Sequence, residues 1–190
     1  MAQENNSERA LLIGVCLPGQ AASVKAVAMD ELARLADTAG MIVRDRCIQN
    51  RGRISGKTFA GEGFIHDCLG RIEGEIDLLV FDNNLTGSQA RNLEMAFGVE
   101  AIDRTELILR IFHDHARTKE AKLQVRLAEL KYQLPKLKRL WTHLDRERGT
   151  SRMGGGAALR GMGEKQIEKD RQAVQREIHE IEKHLEKFSK

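Results

Sequence analysis

The chain has 190 residues, 41% apolar and 31% charged, which is the composition of an ordinary folded protein with one domain or one domain plus an appendage. No apolar run approaches the ~18–20 residues of a transmembrane helix, and the polar N-terminus has no signal-peptide core, so we expect a cytoplasmic protein. The net charge of +3 hides an asymmetry, because residues 1–102 carry −4 and residues 103–190 carry +7.

The basic charge is concentrated further along the chain. Residues 117–160 contain twelve Lys and Arg against four Asp and Glu, a net charge of +8. Such a block favours a polyanionic partner, and an ordinary solvated helix face explains it equally well at this point. The three cysteines, Cys16, Cys47 and Cys68, form no CxxC motif and sit in apolar stretches, so we expect reduced, core-packed thiols.

Short apolar runs alternate with amphipathic segments in the first half. We predict strands at residues 10–17, 41–48, 76–81 and 99–103, and helices at 21–38, 62–72, 86–97 and 105–115. In the first helix the apolar residues at helical spacing are Val24, Val27, Ala28, Leu32, Leu35 and Ala39. The succession predicts an α/β fold, a small parallel sheet flanked by helices, in residues 1–104.

A glycine-rich string at Gly52–Thr58 looks like a phosphate-binding loop at first sight. A true P-loop has four residues between its first glycine and its Gly-Lys pair, whereas three lie between Gly52 and Gly56. The residues before it, 49–51, are polar rather than a buried strand. An exposed loop with a fortuitous Gly-Lys-Thr is therefore the better interpretation.

Two seams of apolar residues at heptad spacing follow in residues 105–190. The first comprises Leu123, Leu127, Leu130, Leu134, Leu137 and Trp141, and the second Ile167, Val174, Ile178, Ile181, Leu185 and Phe188. They predict helices at 119–141 and 164–188 that form a long antiparallel, coiled-coil-like hairpin. Pro135 is expected to kink or interrupt the first helix.

The segment between the two predicted helices, residues 146–163, is glycine-rich and basic, with no acid after Glu147. We predict a tip loop whose chemistry suits RNA. Arginines pair with phosphates or stack on bases, and glycines let the backbone approach a polyanion closely. A functionally neutral connector is the simpler alternative.

Several runs of residues carry a resemblance to a known family. They are FDNNL at 81–85, SQARNLE at 88–94, VEAIDRTELIL at 99–109, ARTKEAKLQV at 116–125 and RGMGEKQIEKDR at 160–171. In these runs the chain resembles the N-terminal region of the HflX GTPases, ribosome-associated translation factors of bacteria. The resemblance implies an α/β subdomain followed by a two-helix subdomain, and binding to the large ribosomal subunit and its rRNA.

The resemblance also implies which residues meet the RNA. The glycine-rich loop would approach the peptidyl transferase centre, and the RNA-binding positions would be Lys119, Lys122, Arg146, Arg148, Arg152, Gly154, Gly155, Gly156, Arg160 and Gly161. The loop departs from the family's usual Gly-Ile-Gly-Thr-Arg-Gly-Pro-Gly-Glu, since residues 154–164 read GGGAALRGMGE.

The family helps to split or rescue stalled ribosomes using GTP, and its GTPase domain is expected after Lys190. That domain would bind GTP and Mg²⁺. The present chain has no P-loop, DxxG or NKxD string of a G domain, so we expect no cofactor, no catalytic residue and no GTP hydrolysis from it alone. His113 and His115 diverge on a helix, so we predict solvent exposure rather than a metal site.

Two other functions are consistent with the pattern. A stand-alone α/β nucleotide-binding domain or enzyme would bind its ligand beyond the carboxyl ends of the strands, at residues 18–20, 49–57 and 82–84. A dimerising helical hairpin would use the two seams between chains. We expect a monomer.

Overall fold

Four parallel strands form the sheet that the alternating apolar segments predict. A computed structural model describes residues 7–149 and 156–188 of the chain. Its strands are β1 (Arg9–Cys16), β2 (Ile42–Asn50), β3 (Leu78–Phe81) and β4 (Glu100–Asp103), in the order β2-β1-β3-β4. β1 is central: it pairs with β2 from Arg9↔Ile42 to Cys16↔Asn50, and with β3 from Ala10↔Leu78 to Ile13↔Phe81.

Helices occupy the segments that amphipathic spacing indicates. They are α1 (Ala22–Thr38), α2 (Glu62–Gly70), α3 (Gly87–Phe97), α4 (Arg104–His115), α5 (Lys119–Gly149) and α6 (Gly156–Phe188). The predicted fold class is confirmed: a small parallel sheet flanked by helices precedes a pair of long helices.

The chain divides into two compact units. The α/β unit comprises Met1–Leu85 and Gln89–Ile111, and the helical unit comprises Thr86–Ser88 and Phe112–Lys190. The division falls inside two helices: the first two residues of α3, Gly87 and Ser88, and the last four of α4, residues 112–115, belong to the helical unit.

Both faces of the sheet are covered by apolar side chains. On one face Leu11, Ile13 and Phe81 pack with Ile65 of α2 and Leu93 of α3. On the other face the buried set comprises Ala10, Leu12, Met29, Leu32, Ala33, Ala36, Met41, Leu78, Val80, Ile102 and Leu107, which α1 and α4 help to supply. Burying each large side chain contributes about 1.5–3 kcal/mol, so this three-layer core stabilises the α/β unit.

The buried face of α1 is rotated from the one that the apolar spacing predicts. Val24 and Val27 are 66% and 63% exposed, whereas Lys25 and Met29 are buried. A Cβ on Gly14 would lie 2.7 Å from Met29 Sδ, so glycine at this position lets α1 pack closely on β1. A lysine on the core side is the feature that apolar spacing alone could not reveal.

The helical unit contains the predicted antiparallel pair, with Leu130 and Ile181 buried in its seam. At ~1.5 Å per residue, the 31 residues of α5 extend about 46 Å. α5 continues through Pro135 as one helix, so the predicted interruption does not occur, and a kink at Pro135 stays a prediction. Phe188, assigned to the seam by spacing, is 54% exposed because it is the last residue of α6.

The predicted tip loop at 146–163 is shorter in the structure, because α5 runs to Gly149 and α6 begins at Gly156. Residues such as Glu147, Arg148, Ala157 and Leu159 have high helix propensity, which the glycine content of the segment concealed. Residues 150–155 lie outside the described residues. Across the helices that are described, none is long and apolar enough to cross a membrane.

We predict that the native chain resists thiol reagents. Cys16, Cys47 and Cys68 are 7%, 6% and 0% exposed, and burial raises the pKa of the Cys47 and Cys68 thiols above the ordinary value. Because the thiolate is the reactive form, Ellman's reagent should label the chain slowly in buffer and rapidly in denaturant. Labelling of all three thiols at the denatured rate in buffer would contradict this arrangement.

Candidate nucleic-acid interface

The carboxyl edge of the sheet is where a parallel α/β fold usually binds a ligand. The chain leaves β1 for β2 on one side and later returns to place β3 on the other side, so the strand order reverses between β1 and β3. Open α/β sheets bind their ligands at such a reversal, beyond the carboxyl ends of the strands. Lys25, Asp82 and Asn83 lie there.

These side chains fill the position themselves. Lys25 Nζ lies 2.8 Å from Asp82 Oδ2, and the two side chains are only 7% and 8% exposed. Lys25 also donates to Asn83 Oδ1 at 3.3 Å, and the same oxygen accepts from the backbone N–H of Val15 at 3.0 Å. The ion pair therefore links α1, the end of β3 and β1, and a ligand here would have to displace it.

Arg104 and Asp103 extend this network to α4. Arg104 Nη1 lies 3.3 Å from Asp82 Oδ1, and its other terminal nitrogen pairs with Glu31 of α1. The hydrogen bond to Glu31, reinforced by the one to Asp82, raises the pKa of Arg104, so the guanidinium stays charged. Asp103, fully buried, accepts from the N–H groups of Leu85 at 3.0 Å and Glu106 at 3.1 Å and so caps α4.

The predicted turn at residues 82–84 thus has a structural role that the sequence did not show. Asp82 and Asn83 receive Lys25 and Val15, and Asn84 Oδ1 lies 3.4 Å from Thr105 Oγ1. The sequence does contain a signal for this network: Lys25 lies in the first turn of the helix that follows β1, and Asp82 comes directly after the buried strand β3.

The glycine-rich string is tied to the α/β unit rather than open to a nucleotide. Ser55 and Phe59 exchange backbone hydrogen bonds of 2.8 and 3.1 Å. The buried Thr58 donates its hydroxyl to the Ala60 carbonyl at 2.8 Å, whereas the threonine or serine of a P-loop offers its hydroxyl to Mg²⁺. Lys57 lies 3.0 Å from Glu62.

Two side chains of α3 hold this loop in place. Gln89 Nε2 donates to the Ser55 carbonyl and Asn92 Nδ2 to the Lys57 carbonyl, each at 3.0 Å. Both side chains are buried, at 4% and 7% exposure. They belong to the SQARNLE run, so part of that run serves to fix residues 55–58.

In the helical unit, exposed basic side chains gather at the start of α5. Thr118 caps the helix, accepting from the Ala121 N–H at 3.0 Å, so the chain direction is fixed at this turn. Arg117, Lys119 and Lys122 are exposed and form no ion pair with any described residue. Arg117 and Lys122 line an open concavity between the end of α4 and α5, together with Asp114 and Arg126.

The next basic residues along α5 are already neutralised by α6. Arg126 Nε lies 2.8 Å from Glu177 Oε1, and this hydrogen bond raises the pKa of Arg126. Lys131 Nζ lies 2.7 Å from Glu182 Oε1. These bridges hold the two helices together. Arg117, Lys119 and Lys122, just before and within the first turn of α5, are exposed and form no ion pair with any described residue.

His113 has a local partner in the same unit. Its Nδ1 lies 2.9 Å from Glu129 Oε1, and its side chain is 66% exposed. His115 is also exposed, as predicted. The contact between His113 and Glu129 ties the end of α4 to α5 beside the concavity.

The predicted tip residues are only partly within the description. Arg146 and Arg148 lie on the helical backbone of α5, and Gly156, Arg160 and Gly161 on that of α6. Arg152, Gly154 and Gly155 lie outside the described residues. Of the ten predicted RNA-binding residues, Lys119 and Lys122 are the two whose side chains are described, and both face solvent.

We predict that Asp82→Ala is strongly destabilising. The substitution leaves Lys25 buried without its carboxylate partner. Such a loss lowers the free energy of unfolding by about 3–5 kcal/mol, which denaturant titration measures. The control is Asp30→Ala, which removes an exposed bridge to Arg46 and should cost about 1 kcal/mol or less. Equal losses for the two variants would show that the buried pair has no special role.

Two family models match the chain. One, described as the GTP-binding GTPase N-terminal region, matches residues 26–113, and the other, the GTP-binding GTPase middle region, matches residues 115–190. The boundary between them lies close to Ile111, where the α/β unit ends.

Curated relatives agree with these models. The GTPase HflX of Magnetococcus marinus is 40% identical over 185 residues, 96% of this chain and 41% of that protein. The GTPase HflX of Alkalihalophilus pseudofirmus is 43% identical over 157 residues, 82% of this chain and 36% of that protein. The chain thus spans about two fifths of the length of these relatives.

The fold is also similar to that of a GTP-binding protein from Sulfolobus solfataricus, solved in complex with GDP. The TM-score is 0.65 at 22% identity, over 96% of this chain and 46% of that one. At this identity the likeness concerns the fold alone. From the two family models and the sequence relatives together, the chain belongs to the HflX family of GTP-binding proteins and corresponds to its N-terminal and middle regions.

Proposed function

We propose that this chain is the ribosome-binding region of an HflX-type GTPase, and that it binds the RNA of the large ribosomal subunit through its helical unit. In the whole protein a GTPase domain follows Lys190, binds GTP and Mg²⁺, and couples GTP hydrolysis to the splitting or rescue of ribosomes in the cytoplasm. The chain itself supplies affinity and position rather than catalysis.

The observation that carries this proposal is the selective pairing of charges on α5. Arg126 and Lys131 are bound to glutamates of α6, whereas Arg117, Lys119 and Lys122 are exposed and have no acidic partner among the described side chains. Uncompensated cations repel each other, and phosphate groups relieve that repulsion while releasing their counterions. RNA is therefore a fitting partner for this end of α5.

The bridged helices also give the cations a firm base. The buried seam at Leu130 and Ile181, with the two ion pairs to α6, keeps α5 in a defined orientation. A preorganised surface loses less conformational entropy on binding. Eight tip residues stay predicted RNA contacts: Arg146, Arg148, Arg152, Gly154, Gly155, Gly156, Arg160 and Gly161.

The two alternatives have less support. A nucleotide-binding role at the sheet reversal conflicts with the buried Lys25–Asp82 pair that occupies it. A dimerising hairpin needs its apolar seam free, but α5 and α6 bury Leu130 and Ile181 within one chain. We propose a monomer, and light scattering at high protein concentration tests it: a doubled mass would favour the dimer.

We predict that Lys119→Ala/Lys122→Ala weakens binding to purified large ribosomal subunits. Each lost phosphate contact lowers the log–log salt slope by about 0.7 to 0.9, so the variant should bind roughly tenfold or more weakly and with a flatter salt dependence. Co-sedimentation over a salt series measures both effects.

The matched control is Arg34→Ala/Lys169→Ala. It removes the same charge from two exposed residues that form no ion pair within the described ranges. It should bind like the unaltered chain. Equal weakening by both pairs of substitutions would reduce the effect to net charge and contradict a defined site at the start of α5.

The tip has its own test. Arg148→Ala/Arg152→Ala/Arg160→Ala should weaken co-sedimentation with large subunits and reduce its salt dependence, because arginine pairs with phosphates and stacks on bases. Unchanged binding of this triple variant would show that the tip does not contact the RNA. It would not bear on the start of α5, which Lys119→Ala/Lys122→Ala tests.

A further inference from the structure

A second basic surface lies in the α/β unit, on residues 51–60, which we call the tethered loop. No acidic residue occurs between Asp45 and Glu62, yet this stretch carries Arg51, Arg53 and Lys57. The surrounding residues 1–102 have a net charge of −4, so the loop is a local concentration of positive charge in an acidic part of the chain.

The tethered loop is held rigidly by contacts on its inner side. Phe59 is 8% exposed and packs edge-to-face on Phe81, with ring centroids 6.4 Å apart. Its backbone has φ 63°, a left-handed conformation unusual for a residue with a side chain, and the packing and the hydrogen bonds to Ser55 maintain it. Gln89 and Asn92 also donate to the carbonyls of Ser55 and Lys57, so contacts from two elements restrain the loop backbone.

The outer side of the loop has no such contacts. Arg53, Ile54 and Lys57 are exposed, with Ile54 at 42%. A Cβ added to Gly52 or Gly56 would meet no atom within 4 Å, so the backbone beside both cations is open to a ligand. Arg53 forms no ion pair in the part of the chain that the structure describes, and Lys57 holds Glu62 only through an exposed bridge.

We propose that the tethered loop is a second RNA-binding site, which contacts the phosphate backbone through Arg53 and Lys57 and places Ile54 against a sugar or an unstacked base. The proposal rests on the proposed function in that its partner is RNA. The loop offers cations and open glycine backbone but no array of side chains that could read base edges, so its binding is independent of sequence.

A single nucleotide fits this surface less well than a strand. The Thr58 hydroxyl is buried and bonded to Ala60, so it cannot contribute to a phosphate–metal site. A protein partner also fits less well, because specific protein interfaces bury an apolar core and Ile54 is the one large apolar side chain exposed on the described loop.

The test compares Arg53→Ala/Lys57→Ala with Arg34→Ala/Lys169→Ala, which removes equal charge elsewhere. The probe is a fluorescein-labelled single-stranded oligouridylate, followed by anisotropy over a salt series. The loop variant should bind roughly tenfold more weakly, and its salt slope should be smaller by about 1.4, since single strands lose about 0.7 per phosphate contact. Affinity and slope equal to those of the control would overturn the proposal.

A crosslink identifies the class of partner. Ile54→Cys places an exposed thiol in a chain whose own cysteines are buried, so a benzophenone maleimide should attach at this position. On illumination with large ribosomal subunits, a crosslink to rRNA is expected, and a crosslink only to ribosomal proteins would contradict RNA as the partner.

The two proposals fail in different ways. If the unaltered chain does not sediment with large subunits, the proposed function fails, whatever the oligouridylate shows. If the chain sediments and Lys119→Ala/Lys122→Ala weakens it, but the loop variant binds oligouridylate as tightly as its control, the tethered loop alone is excluded. Circular dichroism melting of the loop variant should match the unaltered chain, because Arg53 and Lys57 are exposed.

Discussion

The arrangement of the α/β unit depends on the buried ion pair between Lys25 and Asp82. A buried charge without a partner is strongly unfavourable, so the lysine fixes the rotation of α1, and the aspartate fixes the turn after β3. Asn83 bonds β1, and Arg104 bonds both Asp82 and Glu31 of α1, so one network joins the central strand to helices on the same face. The position where related folds bind ligands is thereby filled by the chain's own side chains.

With that position filled, the charged surfaces that remain available are at the periphery of each unit. In the helical unit, glutamates of α6 neutralise Arg126 and Lys131 but leave Lys119 and Lys122 exposed. In the α/β unit, buried Gln89 and Asn92 hold a loop whose outer side carries Arg53 and Lys57. Both surfaces combine a restrained backbone with exposed cations, which suits the binding of a polyanion without prior ordering.

Apolar periodicity was sufficient to predict the strands, the order of the helices and the paired long helices. It assigned the wrong buried face to α1, because Val24 and Val27 fit helical spacing as well as Met29 does. Apolar spacing cannot predict a buried lysine, since its burial depends on the ion pair with Asp82. It also ended the first long helix at Trp141, where the apolar seam stops, whereas α5 continues to Gly149 through residues of high helix propensity such as Glu147 and Arg148. Lys119 and Lys122 could be named from the sequence. That they lack an ion-pair partner while Arg126 and Lys131 have one depends on which glutamates of α6 lie beside α5.

Lysine-selective acetylation followed by mass spectrometry, with and without purified large ribosomal subunits, tests the central claim most directly. Lys57, Lys119, Lys122 and Lys169 are all exposed in the chain, so each should react when it is alone. Binding through the start of α5 predicts that Lys119 and Lys122 become protected on the subunit, and the tethered loop adds Lys57, while Lys169 stays reactive. Undiminished reactivity of Lys119 and Lys122 in a sedimenting complex would contradict the account.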